Sequence, residues 1–210
     1  MESGKKLDIK EELLRKLIHI GYSIVPIIYL FTDKKTIIII TAALSVYMVV
    51  LDLARLKFKW LHDLYLKVLG KILRNHEFDN SKAIFTGGTY LVLASLFCFI
   101  FFEKHVAISA LLITTFGDTF AALAGKSFGR IKYWGKTLEG SLAFFFTGLV
   151  VLYLMGMLGG ILLVPALIAL ALTTIFELLP LPVDDNVTIP FSFCFAFNAI
   201  NMIMGNGCAC

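Results

Sequence analysis

Between Thr115 and Ser141 the chain reads TFGDTFAALAGKSFGRIKYWGKTLEGS, a polar stretch between two strongly apolar runs. A carboxylate, Asp118, lies inside an apolar helical pattern, and a loop rich in glycine and lysine follows at once. Ionisable groups are costly among lipid-facing residues and mark places where a helix meets something polar. Asp118, Glu139, Glu177, Asp184 and Asp185 are hard oxygen donors, the kind that hold Mg²⁺ together with phosphates. Lys126, Arg130, Lys132 and Lys136 can neutralise a polyphosphate, and Arg15 and Lys16 can add to that clamp. Gly117, Gly125, Gly129, Gly135 and Gly140 let backbone N–H groups approach phosphate oxygens. On a helix, Thr114, Asp118, Ala121 or Ala122, and Gly125 share one face, so small residues leave room beside the carboxylate. Such a set suits phosphoryl or nucleotidyl transfer, which needs mostly positioning and charge stabilisation.

Each of these residues also has a purely structural reading. A membrane Asp often partners a nearby Lys or backbone N–H groups. Glycines in membrane helices usually mark close helix packing. Lysines in this loop are expected from topology alone. His19 shares a helix face with Arg15 and reads equally as a hydrogen-bonded interfacial histidine. Asp184, Asp185 and Asn186 follow Pro180 and Pro182 and can form a turn that caps the next helix. One motif is excluded. Gly129 to Thr137 resembles a P-loop, but five residues separate Gly129 from Gly135 instead of four, and no buried strand precedes it.

The elements that must position these groups are membrane helices. Of the 210 residues, 59% are hydrophobic and 16% charged, and the mean hydropathy is +0.85. A soluble domain of this size cannot hide that much apolar surface. The expectation is a single all-α domain over 1–210, a polytopic membrane helix bundle of about seven transmembrane helices. The spans are placed at 17–31, 36–51, 83–102, 106–125, 141–157, 159–178 and 189–204. Charged residues recurring every three or four positions from Asp52 to Arg74 predict an amphipathic helix over 52–74, lying on the cytoplasmic face. With the N-terminus in the cytoplasm, sixteen of the 19 Lys and Arg residues fall on cytoplasmic segments; Lys34, Lys35 and Lys104 lie outside. This bias supports seven spans with the C-terminus outside. Arg15, Lys16, His19, Asp118, the loop 125–140, Glu177 and Asp184 to Asn186 then share the cytoplasmic side, where nucleotides are. The length suggests a prokaryotic cell membrane. The cysteines, Cys98, Cys194, Cys208 and Cys210, form no metal or disulfide framework.

Three blocks resemble the CTP-dependent lipid kinases, the group of dolichol kinase, phytol kinase and CTP-using diacylglycerol kinase. The first is Glu12-Leu-Leu-Arg15-Lys16-Leu-Ile-His19, similar to the family's Arg-Lys-x-x-His at its first span. The second is Gly117-Asp118-Thr-Phe-Ala121-Ala122-Leu-Ala-Gly125-Lys126-Ser-Phe-Gly129, with Gly135-Lys136-Thr137-Leu138-Glu139-Gly140-Ser141 behind it. The third is Glu177 followed by Asp185-Asn186-Val-Thr188-Ile-Pro190. The resemblance implies a CTP-dependent kinase that passes the γ-phosphoryl group to the hydroxyl of a membrane lipid alcohol: a polyprenol or dolichol, a phytol-type isoprenoid, or a diacylglycerol. It implies that Asp118 and Asp185, with Glu139 or Glu177, hold Mg²⁺ on the CTP phosphates. Lys126, Lys136 and the glycine loop, from Gly117 through Gly125, Gly129, Thr137 and Gly140 to Asn186, would bind the nucleotide. Arg15 and Lys16 would contact phosphate or orient the acceptor, and His19 or a carboxylate would take the hydroxyl proton.

Two other classes stand beside this one. Phosphatidate cytidylyltransferases share a version of the second block and also use CTP, Mg²⁺ and a lipid, but their His-Gly-Gly and Asp-Arg-x-Asp stretches are missing from this chain. A small transporter is compatible with seven spans and an intramembrane Asp. Against it, the polar groups gather on one face and the two halves show no repeated broken helices. Nothing in the sequence sets the oligomeric state, and nothing calls for nucleic acid as a partner.

Overall fold

In hydrocarbon the backbone must satisfy its own N–H and C=O groups, and apolar runs of this length can do so only as helices. The computed structural model describes residues 9–69 and 85–205, and it is a bundle of helices with one small hairpin. Helix α1 (Ile9–Gly21) is followed after a two-residue break by α2 (Ile24–Phe31). Pro26 explains the break, because its ring conflicts with the carbonyl four residues back, at Tyr22. Then come α3 (Lys34–Lys57), α4 (Lys59–Leu69), α5 (Gly87–Phe101) and α6 (Lys104–Leu112). A π-helical turn (Ile113–Gly117) joins α6 to α7 (Asp118–Phe128). The hairpin strands β1 (Lys132–Tyr133) and β2 (Lys136–Thr137) lead into α8 (Leu138–Met157), α9 (Leu163–Leu178) and α10 (Asp185–Ile203).

Among the described residues, five helical segments are long and apolar enough to cross a membrane: Leu13–Phe31, Lys34–Lys57, Lys104–Phe128, Leu138–Met157 and Asp185–Ile203. Gly87–Phe101 and Leu163–Leu178 are apolar but shorter. At ~1.5 Å per residue they are ~22–24 Å long, less than the ~30 Å hydrocarbon core. An all-α membrane bundle is therefore present, built around Phe99, Ile108, Leu111, Phe144, Leu152, Leu170, Phe193 and Phe197, all essentially inaccessible.

The amphipathic helix expected over 52–74 is divided by the structure. Its first turn belongs to α3, and a break at Phe58 separates α4, on which Lys59, Trp60, Asp63, Leu64 and Lys67 are exposed. Residues 70–74, including Lys71 and Arg74, lie outside the described residues, as do Cys208, Cys210 and positions 83 and 84 of the third expected span. Asp52 and Arg55 are not on a solvated stripe; they are 2% and 1% exposed. Arg55 Nε lies 3.1 Å from Asp52 Oδ1, and the guanidinium sits 5.2 Å from the Tyr65 ring centre. The other carboxylate oxygen accepts from Thr86 N (2.8 Å), Thr86 Oγ1 (3.2 Å) and Thr89 Oγ1 (2.6 Å). Charge recurring at helical spacing looks the same whether it faces water or a buried partner, and here the partners come from the start of α5.

This buried pair anchors α3 to α5. Removing one member leaves the other charge uncompensated, which costs about 3–5 kcal/mol. Asp52→Asn is expected to lower thermal stability in detergent by about that amount, while Asp52→Asn combined with Arg55→Leu recovers a large part of the loss. Unchanged melting of the single variant would show that the pair contributes little.

Candidate active site

Lys16 is placed by α1, whose apolar residues Leu13, Leu14, Leu17 and Ile18 are exposed on its outer side. Its ammonium is 1% exposed and donates to the carboxylate Oδ2 of Asp118, forming an ion pair, and to the Asp118 backbone carbonyl at 3.0 Å. His19, one turn along the same face, holds Nε2 at 3.9 Å from the same oxygen. That nitrogen is buried and finds no hydrogen-bond partner among the described residues.

Asp118 comes directly after the π turn. Such a turn inserts one residue into the helical ladder and re-aims the side chains that follow, and it occurs often at functional sites. The hydroxyls around it are satisfied within the helix: Thr114, Thr115 and Thr119 donate to Ala110 O (2.7 Å), Leu111 O (3.0 Å) and Thr115 O (2.7 Å). Asp118 instead reaches across to α1.

A second cluster forms where the hairpin meets α9 and α10. Lys136 Nζ lies 3.1 Å from Glu177 Oε1 and 3.2 Å from both Asp185 oxygens, and it also donates to the Glu177 backbone carbonyl. Glu177 Oε2 accepts from Ser141 Oγ at 2.8 Å. Burial lowers the Lys136 pKa, but Asp185 and Glu177 outweigh it and raise the value above its ordinary 10.5. Asp184 caps α10, accepting from Asn186 N at 2.9 Å, which leaves Asp185 for Lys136. The Asn186 side chain donates to Gly87 O at 2.9 Å and so ties α10 to the start of α5.

The glycines have a packing role. A Cβ on Gly117 would stand 2.8 Å from the Phe144 ring, and one on Gly140 would stand 2.9 Å from Ala121 O. On Gly125 it would lie 2.6 Å from Thr137 Oγ1, and on Gly129 only 2.2 Å from Gly125 O. These residues let α7, the loop and α8 approach closely. Thr137 caps α8 through Gly140 N at 3.1 Å. Glu139 accepts from Arg130 N at 2.9 Å and Ile131 N at 3.3 Å, holding the base of the hairpin. Lys126 is exposed at the end of α7. Beside it an open depression is lined by Ser127, Phe128, Gly129, Arg130 and Glu139.

The carboxylates predicted as a metal set are thus divided between two places. Glu177 and Asp185 share Lys136, whereas Asp118 is held by Lys16. Among the described residues no group of three or more His, Cys, Asp or Glu side chains converges as a ligand set. Mg²⁺ bound with nucleotide commonly takes only one or two carboxylates, the phosphates and water supplying the rest. Asp118, or the Glu177–Asp185 pair, fits that demand in donor chemistry. Sequence reasoning missed the Ser141–Glu177 and Asn186–Gly87 bonds, for which no spacing signal exists.

No protein-family model and no solved structure matches the chain. It is 27% identical over 196 residues to an uncharacterized protein of Rickettsia prowazekii, covering 91% of this chain and 96% of that one. It is 28% identical over 147 residues to CTP-dependent diacylglycerol kinase 1 of Saccharomyces cerevisiae, and 29% identical over 146 residues to the protein of that name in Eremothecium gossypii. Each alignment covers 67% of this chain but only 49% and 45% of the kinases, so the chain spans about half their length.

The Lys136 cluster gives a pH test. A raised pKa means that the pairing stabilises fully below the ordinary lysine value and is lost as pH rises through the raised one. Lys136→Met is expected to melt below wild type by a constant margin from about pH 7 to 10, the margin shrinking at higher pH. Thermal unfolding in detergent across pH measures this, and a margin that grows above pH 10 would contradict it.

Proposed function

We propose that this chain is a CTP-dependent lipid kinase, which transfers the γ-phosphoryl group of CTP to the hydroxyl of a membrane lipid alcohol. The observation that carries the reading is the ion pair of buried Lys16 with partly exposed Asp118, with His19 beside it. It joins two of the blocks by which the chain resembles such kinases, and the similarity to the two fungal diacylglycerol kinases points the same way. The bundle crosses the membrane seven times, with α5 and α9 completed by flanking residues and the N-terminus, the hairpin and the site on the cytoplasmic side. A polyprenol, a phytol-type alcohol and a diacylglycerol all present a hydroxyl at the depth of a helix end.

In this reading Lys136 and Lys126 receive the triphosphate, and Lys16 with Arg15 faces the transferring group or the acceptor. Gly117, Gly125, Gly129, Gly140 and Thr137 shape the loop around the nucleotide, with Glu139 fixing the hairpin and Asn186 fixing the start of α10. Asp118, or the Glu177–Asp185 pair, would hold Mg²⁺, which would supply neutralisation of phosphate charge. The lipid oxygen bonds to the γ-phosphorus as the β–γ bridging bond breaks and CDP leaves. His19 or one of the carboxylates accepts the hydroxyl proton, and the orphaned His19 nitrogen suits that task.

Purified protein given CTP labelled at the γ or the α position, with ATP as comparison and a panel of lipid alcohols, tests the reading by thin-layer chromatography of the lipid. Label is expected from the γ position of CTP only, and Asp118→Asn is expected to lower the rate by about 10²–10³-fold. Label arriving only from the α position would make the chain a cytidylyltransferase. Full activity of a folded Asp118→Asn protein would remove Asp118 from the site.

A further inference from the structure

The hairpin and the end of α7 that leads into it carry more apolar surface than a solvent loop needs. Phe128 is 73% exposed, Trp134 67%, Tyr133 48% and Ile131 47%. Arg130 and Lys132, both exposed, alternate in sequence with the exposed Ile131 and Tyr133. Lys132 pairs with Thr137 and Tyr133 with Lys136. The turn between them uses positive φ at Trp134 (44°) and Gly135 (90°). A tryptophan held in that left-handed conformation is disfavoured and needs a reason to stay exposed at the tip.

The hairpin has little freedom to leave the bilayer surface. It lies between the apolar segments Lys104–Phe128 and Leu138–Met157, both long enough to cross a membrane. Its base is fixed to α8 by Glu139 and by Leu138 N donating to Ile131 O at 3.0 Å. Two-residue strands reach only ~7 Å. The headgroup layer is ~5–8 Å deep on each side. Trp and Tyr favour that layer, and Lys and Arg favour anionic headgroups.

We propose that this hairpin docks on the membrane leaflet at its end of the bundle, with Tyr133 and Trp134 at the headgroup boundary and Arg130 and Lys132 on anionic phospholipid phosphates. The occupant of the apolar tip is therefore the bilayer that already surrounds the flanking helices. This location does not depend on the phosphotransfer reading, and the test needs no turnover.

The chain has two tryptophans, Trp60 and Trp134, so Trp60→Phe leaves Trp134 as the single reporter. The protein is reconstituted into phosphatidylcholine vesicles, with or without a third of phosphatidylglycerol and with bromine near the headgroup end of the acyl chains. Brominated lipid is expected to quench Trp134 emission at least twofold, with acrylamide quenching several-fold weaker than for free tryptophan. Phosphatidylglycerol is expected to increase the lipid quenching, and Arg130→Glu with Lys132→Glu to abolish that increase. Strong acrylamide quenching without lipid quenching would overturn the proposal. Quenching by CTP in place of lipid would do so too, by making nucleotide the occupant. Equal quenching in neutral and anionic vesicles would overturn the headgroup assignment. If the Trp60→Phe protein fails to fold, subtracting the Trp134→Phe emission from wild type gives the same readout.

Discussion

A lysine buried at a membrane helix end needs an anionic partner, because its charge alone is prohibitively costly away from water, and the partly exposed Asp118 supplies one. Lys16 and Asp118 are 102 positions apart, yet the ammonium reaches both the carboxylate and the backbone carbonyl of the same residue. The pair fixes α1 against the helix interrupted at the π turn. It also sets His19, one turn from Lys16, beside the carboxylate. The facing of α1 toward that helix follows from this contact.

The other charged contacts repeat the arrangement at other junctions. Lys136 joins the hairpin to the end of α9 and the start of α10, and Asp52 with Arg55 joins α3 to the start of α5. Asn186 links the last two junctions through Gly87. Between the charged contacts, glycines bring α7, the loop and α8 to distances that no Cβ would allow. A rigid frame of this kind suits chemistry that depends on position more than on covalent participation.

Much of this could be read from the chain. Continuous apolar runs fix helices as the only spanning structure, and Asp118 stands out because nothing apolar explains it. Lys16, Asp185 and Glu177 were legible as chemistry, but their grouping was not. Which carboxylate meets which lysine depends on contacts between distant segments, which leave no periodic trace. The π turn was equally invisible, since one extra residue in a helix does not disturb an apolar pattern. Asp52 and Arg55 misled for a definite reason: their spacing continues the exposed pattern of Lys59, Asp63 and Lys67, although a buried partner awaits them on α5.

The central claim is that the Lys16–Asp118 and Lys136–Glu177–Asp185 clusters serve one nucleotide. Equilibrium binding of CTP with Mg²⁺ to wild type, Lys16→Met, Lys136→Met and the double variant, each shown to be folded, tests it most directly. The account predicts at least a tenfold weaker affinity for each single variant and a further loss in the double. Wild-type affinity in both single variants would contradict it.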